Sequence, residues 1–298
     1  MDTQKKEIKK KARGLGVFLM AHQLIFQIGT IVLMFTVLSA LNLLKLSHLE
    51  DAVTLIASDL MQLAAGVFFL VFYLINRKTI KQMPMGEKKC SLRFFGKCMA
   101  AVFGVNMMLS MGDHLLKNLT GFSLSVPVEG TANIDPAILF LTVAVFPAIV
   151  EELLYRGVLY RYLRGHGVQF AAIASSLIFG LAHMNFLQLI FATVLGLVCC
   201  YIYEATGKLR YSMLLHLLNN SIVVLFSALP LSSQAVVTIE MVLGVVSVFA
   251  AAVYLVRRGL KTDLSPQTLK SCLYFFTSIP MVLFTLVCLG VCVYLSFG

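Results

Sequence analysis

Apolar residues occur in nine long runs that are separated by short polar connections. A helix needs about 20 predominantly apolar residues to cross a bilayer, and most of the runs are near that length or longer. The runs predict membrane-spanning helices at about 17–44, 53–75, 94–111, 136–163, 168–185, 187–204, 211–229, 235–256 and 272–296. The first run is too long for the apolar region of a signal peptide, so it is predicted to be a helix. The fifth and sixth runs are short and adjacent, which is compatible with a tight hairpin.

The composition indicates the same class of protein. Of the 298 residues, 59% are hydrophobic and 13% are charged. A soluble domain has roughly a quarter charged residues, so this composition excludes a soluble globular enzyme. Intrinsic disorder is excluded as well, because it requires low hydrophobicity and high charge. We therefore predict an all-α fold, a polytopic transmembrane helical bundle of eight to nine spans that forms a single membrane domain over residues 1–298.

The net charge is +10, and the positions of the basic residues indicate membrane topology rather than nucleic-acid binding. Of the 24 lysines and arginines, all except Lys45 and Lys117 lie on the side of the predicted spans that the N-terminus and alternate connections share. Cytoplasmic loops carry an excess of such residues, so the distribution predicts nine spans with a cytoplasmic N-terminus and an external C-terminus. The seven cysteines include no C-x-x-C pair and lie in or beside apolar runs, where free cysteine behaves as a small hydrophobic residue.

Polar side chains inside the predicted spans mark the candidate chemistry, because ionisable groups are costly in a membrane. The sequence places such residues at Asp59, at Glu151, Glu152 and Arg156, at His183, at His216 with Asn220, and at Glu240. Asp59 and Glu240 are isolated, so each is expected to pair with a polar neighbour. The remaining residues are clustered, and they are the stronger candidates for a functional site.

The adjacent carboxylates of Glu151 and Glu152 point about 100° apart on a helix. Glu152 and Arg156 are four residues apart, the spacing at which an acid and a following base pair best. Glu151 faces away from Arg156, and an unpaired carboxylate in low-dielectric surroundings can act as a general base. The alternative is a helix end at which all three side chains reach the cytoplasmic headgroups, since arginine can extend its charge to the interface.

Two further polar pairs follow on later spans. Phe179 and His183 share one face of the fifth predicted span, and His216 and Asn220 share one face of the seventh. Each polar residue alone is compatible with a hydrogen bond between helices. At a rise of about 1.5 Å per residue, however, these groups and Glu151 can meet within the cytoplasmic half of the membrane. The spacing therefore allows one shared site.

Three motifs stand in order on three spans: E-E-x-x-x-R (Glu151, Glu152, Arg156), F-x-x-x-H (Phe179, His183) and H-x-x-x-N (His216, Asn220). This set resembles the CAAX protease and bacteriocin-processing family, also called the Abi family, which includes the type II CAAX prenyl endopeptidases. The resemblance covers roughly residues 136–229, the predicted catalytic core. It implies an intramembrane endopeptidase whose cavity opens toward the cytoplasm.

The resemblance also implies a role for each motif residue. Glu151 and His183 would activate a water, and His216 and Asn220 would stabilise the developing oxyanion. The supporting residues would be Glu152, Arg156 and Phe179.

The residues favour hydrolysis without a metal cofactor. The zinc motif H-E-x-x-H is absent, and Asn220 is a poor zinc ligand. The alternative is a zinc site with an open coordination position, in which Glu151, His183 and His216 would be the ligands.

The predicted substrate is a peptide or a lipidated protein at the cell membrane, cleaved as in CAAX processing or in the maturation of peptides such as bacteriocins. Two other classes of protein stay open. A non-enzymatic membrane scaffold or immunity protein would keep the fold and would not need Glu151. A proton-coupled transporter would use Asp59, Glu240 and the glutamate pair as a relay, but such transporters are typically built from inverted repeats, which this sequence does not show.

Overall fold

The computed structural model describes residues 2–46, 49–81, 85–124, 134–228, 233–258 and 264–297. They form ten helices, which are α1 (Asp2–Leu43), α2 (Glu50–Lys81), α3 (Leu92–Thr120), α4 (Pro136–His166), α5 (Val168–Ala182), α6 (Phe186–Thr206), α7 (Leu209–Ala228), α8 (Ser233–Arg258), α9 (Pro266–Phe276) and α10 (Ile279–Phe297). Helix α4 contains two π-helical stretches, Phe140–Val145 and Glu152–Tyr160, and ends in a 3-10 turn at Arg164–His166. No strand occurs in these ranges, and the predicted polytopic helical bundle is confirmed.

Within the described part of the chain, eight helices are long and apolar enough to cross a membrane. Helix α5 is too short for this, with 15 residues where the sequence predicted a span over 168–185. Its length of about 22 Å, at 1.5 Å per residue, is less than the roughly 30 Å of a bilayer's hydrocarbon core. The prediction of a full fifth span is therefore wrong. Helix α5 is instead a short, largely buried helix that packs against α4 and α6.

Helices α5 and α6 form the hairpin that the short runs predicted. Three residues join them, and Met184 in this turn has a positive φ of 51°. The two helices approach closely at Gly180, where an added Cβ would lie 2.5 Å from the carbonyl oxygen of Leu189. Small residues at such contacts let membrane helices pack backbone to backbone.

The last predicted span, 272–296, is also corrected. The chain breaks at Thr277 and Ser278, so that a short helix, α9, precedes α10. Pro280 is the cause, because proline has no N–H with which to continue the hydrogen bonding of α9 but fits the first turn of a new helix. The start of α9 lies beside the start of α1, where Gln267 Nε2 donates to Gln4 Oε1 at 2.9 Å.

Three basic segments of the described chain, at the ends of α2, α4 and α6, lie together at one end of the bundle. The backbone of the segment after α2 bonds to the end of α6, with Gly86 N donating to Glu204 O at 2.9 Å and Lys88 N to Ala205 O at 3.0 Å. The guanidinium of Arg164, at the end of α4, forms an ion pair with Glu204. The ends of α2, α4 and α6 therefore lie together, as the alternating distribution of basic residues predicts. The cytoplasmic orientation of this end stays a prediction.

Helix α6 approaches α4 and α5 closely because it carries a glycine, Gly196, at the point where the helices meet. A Cβ added at Gly196 would lie 2.8 Å from Ser176 Oγ and 2.9 Å from Arg156 Nη2. Both of these side chains are buried. Close packing at Gly196 therefore brings α4, α5 and α6 into contact around Arg156.

We predict that Gly196→Ala destabilises the protein, because the added methyl group has no free space among buried neighbours. Overpacking of this kind costs about 1–3 kcal/mol. The measurement is thermal unfolding in detergent. Gly66→Ala is the matched control, since an added Cβ there meets nothing within 4 Å. Equal melting temperatures for the two variants would contradict the assigned contact.

Candidate active site

The site begins at an interruption of the regular hydrogen bonding of α4. Pro147 has no N–H, so it cannot donate to the carbonyl oxygen of Val143, four residues earlier. The side-chain amide of Asn220, on α7, donates to that oxygen at 3.0 Å. The α-helical segment that contains Pro147 ends at Glu151, and π-helix begins at Glu152. Single π-helical turns are frequent at functional sites.

Glu152 and Arg156 form an ion pair in the interior of the protein. Nη1 of Arg156 is 2.9 Å from Oε1 of Glu152, and the two side chains are 1% and 0% exposed. The same carboxylate oxygen accepts a hydrogen bond from Nδ1 of His216 at 3.2 Å. The guanidinium lies over the ring of Phe179, 4.4 Å from its centroid. The predicted pairing is confirmed, and the alternative in which these side chains reach the headgroups is excluded.

Glu151 has a different environment from its neighbour. Its side chain is 14% exposed, and Oε2 lies 3.8 Å from Nε2 of His216. Gln62, on α2, donates from Nε2 to the other carboxylate oxygen at 3.1 Å. The expectation that Glu151 is unpaired is therefore wrong, because an amide and an imidazole hold it. Neither contact pairs the carboxylate with an arginine or a lysine.

His183 directly follows α5 and caps its last turn. Its Nδ1 is 2.8 Å from the carbonyl oxygen of Phe179. A carbonyl oxygen only accepts, so Nδ1 carries the proton and Nε2 is the nitrogen available to a water. The ring also meets the ring of Phe179 edge to face, with centroids 4.8 Å apart. These two contacts fix both the orientation and the tautomer of His183.

A cavity of about 410 Å³ joins these groups. Its wall includes the predicted catalytic residues, which are Glu151, His183, His216 and Asn220. Phe179 also lines it, whereas Glu152 and Arg156 lie behind the wall and are not exposed to it. Apolar side chains from α2, α3, α6 and α7 complete the cavity. The structure thus brings together residues that the sequence placed on three separate spans.

Sequence reasoning undervalued or missed several polar residues of this site, among them Asp59, Gln62 and Asn219. Asp59, expected to pair with a polar neighbour, lines the same cavity as Glu151. Gln62, three residues further along α2, binds Glu151 directly. Asn219 also lines the cavity and donates to Oδ1 of Asn220 at 3.1 Å. The spacing between Asp59 and Gln62 could have indicated that Gln62 lies near the site, since residues three apart share a helix face.

Glu240 lies outside the site, and its predicted pairing with polar neighbours is confirmed. Its Oε2 accepts from Ser110 Oγ at 2.7 Å and lies 2.9 Å from His114 Nε2. Helices α3 and α8 are held together by these contacts. Glu240 is therefore a structural residue of the described bundle, well suited as a control for the site.

A metal centre would require several ligating side chains of the described residues to lie close together. No group of three histidine, cysteine, aspartate or glutamate side chains is placed so that it could hold a metal ion. His216 donates Nδ1 to Glu152, which leaves its Nε2, 3.8 Å from Glu151, as the ring nitrogen that could bind a metal. Metal dependence stays a matter for measurement.

Residues 133–222 match the model of a protein family that is described as type II CAAX prenyl endopeptidase Rce1-like. The matched segment contains all three motifs and confirms the resemblance to the CAAX protease and bacteriocin-processing family. It supports, in general terms, a multi-pass membrane protease of the CAAX type. No curated protein and no solved structure matches the chain.

We predict that Arg156→Met strongly destabilises the protein. Methionine fills much of the volume of the arginine stem, but the variant leaves the carboxylate of Glu152 buried without its cation. Removing one partner of a buried ion pair costs about 3–5 kcal/mol. Thermal unfolding in detergent measures the effect, with Arg210→Met as the control because Arg210 is exposed. A melting temperature equal to that of the control would show that the ion pair has no structural role.

Proposed function

We propose that the protein is an intramembrane endopeptidase that hydrolyses a peptide bond with a water activated by Glu151 and His183. The observation that carries the proposal is the convergence of Glu151, His183, His216 and Asn220 on one cavity inside a bundle of membrane helices. The buried pair of Glu152 and Arg156 supports the arrangement from behind.

The reaction uses Glu151 as a proton carrier. Its carboxylate takes a proton from a water, and the resulting hydroxide oxygen bonds to the carbonyl carbon of the substrate. The tetrahedral intermediate then breaks at its C–N bond, and the proton held by Glu151 passes to the leaving nitrogen. One water is consumed, and one carboxyl group and one amine are formed. His183 accepts a hydrogen bond from the same water at Nε2, which orients the attacking oxygen lone pair.

The negative oxygen of the intermediate is stabilised by His216 and Asn220. One N–H of the Asn220 amide is used by the carbonyl of Val143, which leaves the second N–H for the substrate. Because His216 donates Nδ1 to Glu152, it can also donate from Nε2 only when its ring carries a second proton.

The substrate we propose is a membrane-associated peptide or lipidated protein at the cell membrane, processed as in CAAX cleavage or peptide maturation. The mainly apolar wall of the 410 Å³ cavity suits a chain that approaches from the bilayer. The cavity is proposed to open toward the cytoplasm, the side to which the distribution of basic residues assigns the ends of α2, α4 and α6.

We predict that Glu151→Gln abolishes cleavage, because the amide is close in shape but cannot accept the proton. General-base catalysis contributes about 10²–10⁴-fold, so a loss of at least that order is expected in kcat. The assay is cleavage of a library of membrane peptides, with and without a C-terminal prenyl group, by protein in liposomes. Mass spectrometry identifies the products.

Glu240→Gln is the matched control for this experiment, since Glu240 also lies in a membrane helix but outside the site. Its cleavage rate should equal that of the unmodified protein, with and without a metal chelator. If the Glu151→Gln variant still cleaves the peptides, Glu151 is not the general base. Activity lost on chelation would assign a metal to the site. If no peptide is cleaved, the scaffold hypothesis replaces the enzyme.

We also predict that Asn220→Ala lowers kcat with little effect on KM, because an oxyanion contact acts in the transition state. Loss of one such donor typically costs about 10²–10³-fold. Asn118→Ala is the control, since Asn118 is exposed near the end of α3. A rise in KM at constant kcat would instead assign Asn220 to substrate binding.

A further inference from the structure

A second cavity, of about 220 Å³, lies against the same catalytic groups. It is bounded by α1, α2, α4 and α5, and it shares Glu151, Phe179 and His183 with the larger cavity. The other lining residues with polar groups are His22, Gln23 and Gln27 from α1, Gln62 from α2 and Tyr155 from α4. Several polar side chains therefore face this smaller cavity inside a membrane bundle.

The polar groups of the smaller cavity are incompletely satisfied by the protein. His22 is 8% exposed, and its Nε2 has no hydrogen-bond partner among the residues that the structure describes. The amides of Gln23 and Gln27 donate to the sulfur of Met184, at 3.6 and 3.3 Å. A thioether sulfur is a weak acceptor. Buried polar groups in this condition favour a small ligand that both donates and accepts hydrogen bonds, and water has that property.

The two cavities differ in the groups that they present to a reactant. His216 and Asn220, the proposed oxyanion donors, line only the larger cavity. The polar residues of α1 line only the smaller one. Glu151 and His183, the proposed water-activating pair, line both. A scissile carbonyl must therefore lie in the larger cavity to reach its donors, while a water can reach Glu151 from the smaller cavity.

We propose that the smaller cavity is a water chamber that supplies the attacking water to Glu151, while the substrate occupies the larger cavity. This inference rests on the proposed hydrolysis. A volume of 220 Å³ has room for several waters, each of which takes about 30 Å³ in the liquid. His22, Gln23 and Gln27 are positioning residues that hold this water. They act on the reaction through the water and do not touch the substrate.

The first test measures water access without using activity. Gln27→Cys places a thiol on the wall of the smaller cavity, and Ile28→Cys places one on the outer face of α1, where residue 28 is 59% exposed. Both variants, in liposomes, are treated with 2-aminoethyl methanethiosulfonate, a small cationic thiol reagent. Labelling at each site is followed by mass spectrometry of the peptides, which separates the new thiol from the native cysteines. We expect labelling at position 27 to be at least about tenfold faster, because thiolate forms in water and not in lipid.

The second test uses the kinetics of peptide cleavage. Gln27→Leu and His22→Leu are expected to lower kcat about tenfold, equivalent to about 1.4 kcal/mol, with KM unchanged. A raised KM with unchanged kcat would overturn the proposal, because the chamber would then bind substrate. Equal labelling of the two cysteine variants would overturn it as well, because the chamber would be dry. Fast labelling of Gln27→Cys in a protein that cleaves no peptide would refute the hydrolysis while leaving the chamber hydrated, so the two failures are distinguishable.

Discussion

The site is organised around a single buried carboxylate, that of Glu152. In the interior of a membrane protein this charge is tolerated only because Arg156 and His216 bind the same oxygen, at 2.9 and 3.2 Å. Each partner is in turn fixed by this contact. Arg156 stacks on Phe179, and His216 is turned so that its other nitrogen faces Glu151. Three helices, α4, α5 and α7, are thereby locked in one arrangement.

The same interaction explains how two adjacent glutamates acquire different chemistry. Adjacent residues on a helix point about 100° apart, so that Glu152 points into the protein and Glu151 into the cavity. The charge of Glu152 is paired with that of Arg156. Gln62 and His183 line the smaller cavity together with Glu151, and neither side chain is a cation that would pair with it permanently. A carboxylate held in this way suits proton transfer better than ion pairing. The close packing at Gly196 allows the arrangement, because a larger residue would displace Arg156.

Much of the site could be predicted because its principal contacts are set by short spacings in the sequence. The pairing of Glu152 with Arg156 follows from a separation of four residues, and this pair is the support of the whole site. Contacts between helices could not be predicted in the same way. Gln62 and His22 reach the site only because α2 and α1 pack beside α4 with a particular rotation, which no local pattern fixes. The length of α5 could not be predicted either, since the residues that form it are as apolar as those of a membrane-spanning helix.

The most direct measurement is a single turnover of peptide cleavage in water enriched in oxygen-18, with enzyme in excess over substrate. Because Glu151 is assigned as the base for a water and not as a nucleophile, the account predicts that the first product carries one solvent oxygen in its new carboxyl group. The side chain of Glu151 should remain unlabelled, as read from its proteolytic peptide by mass spectrometry. A first product that lacks the heavy oxygen, together with a labelled Glu151, would contradict the account and show that this glutamate attacks the substrate itself.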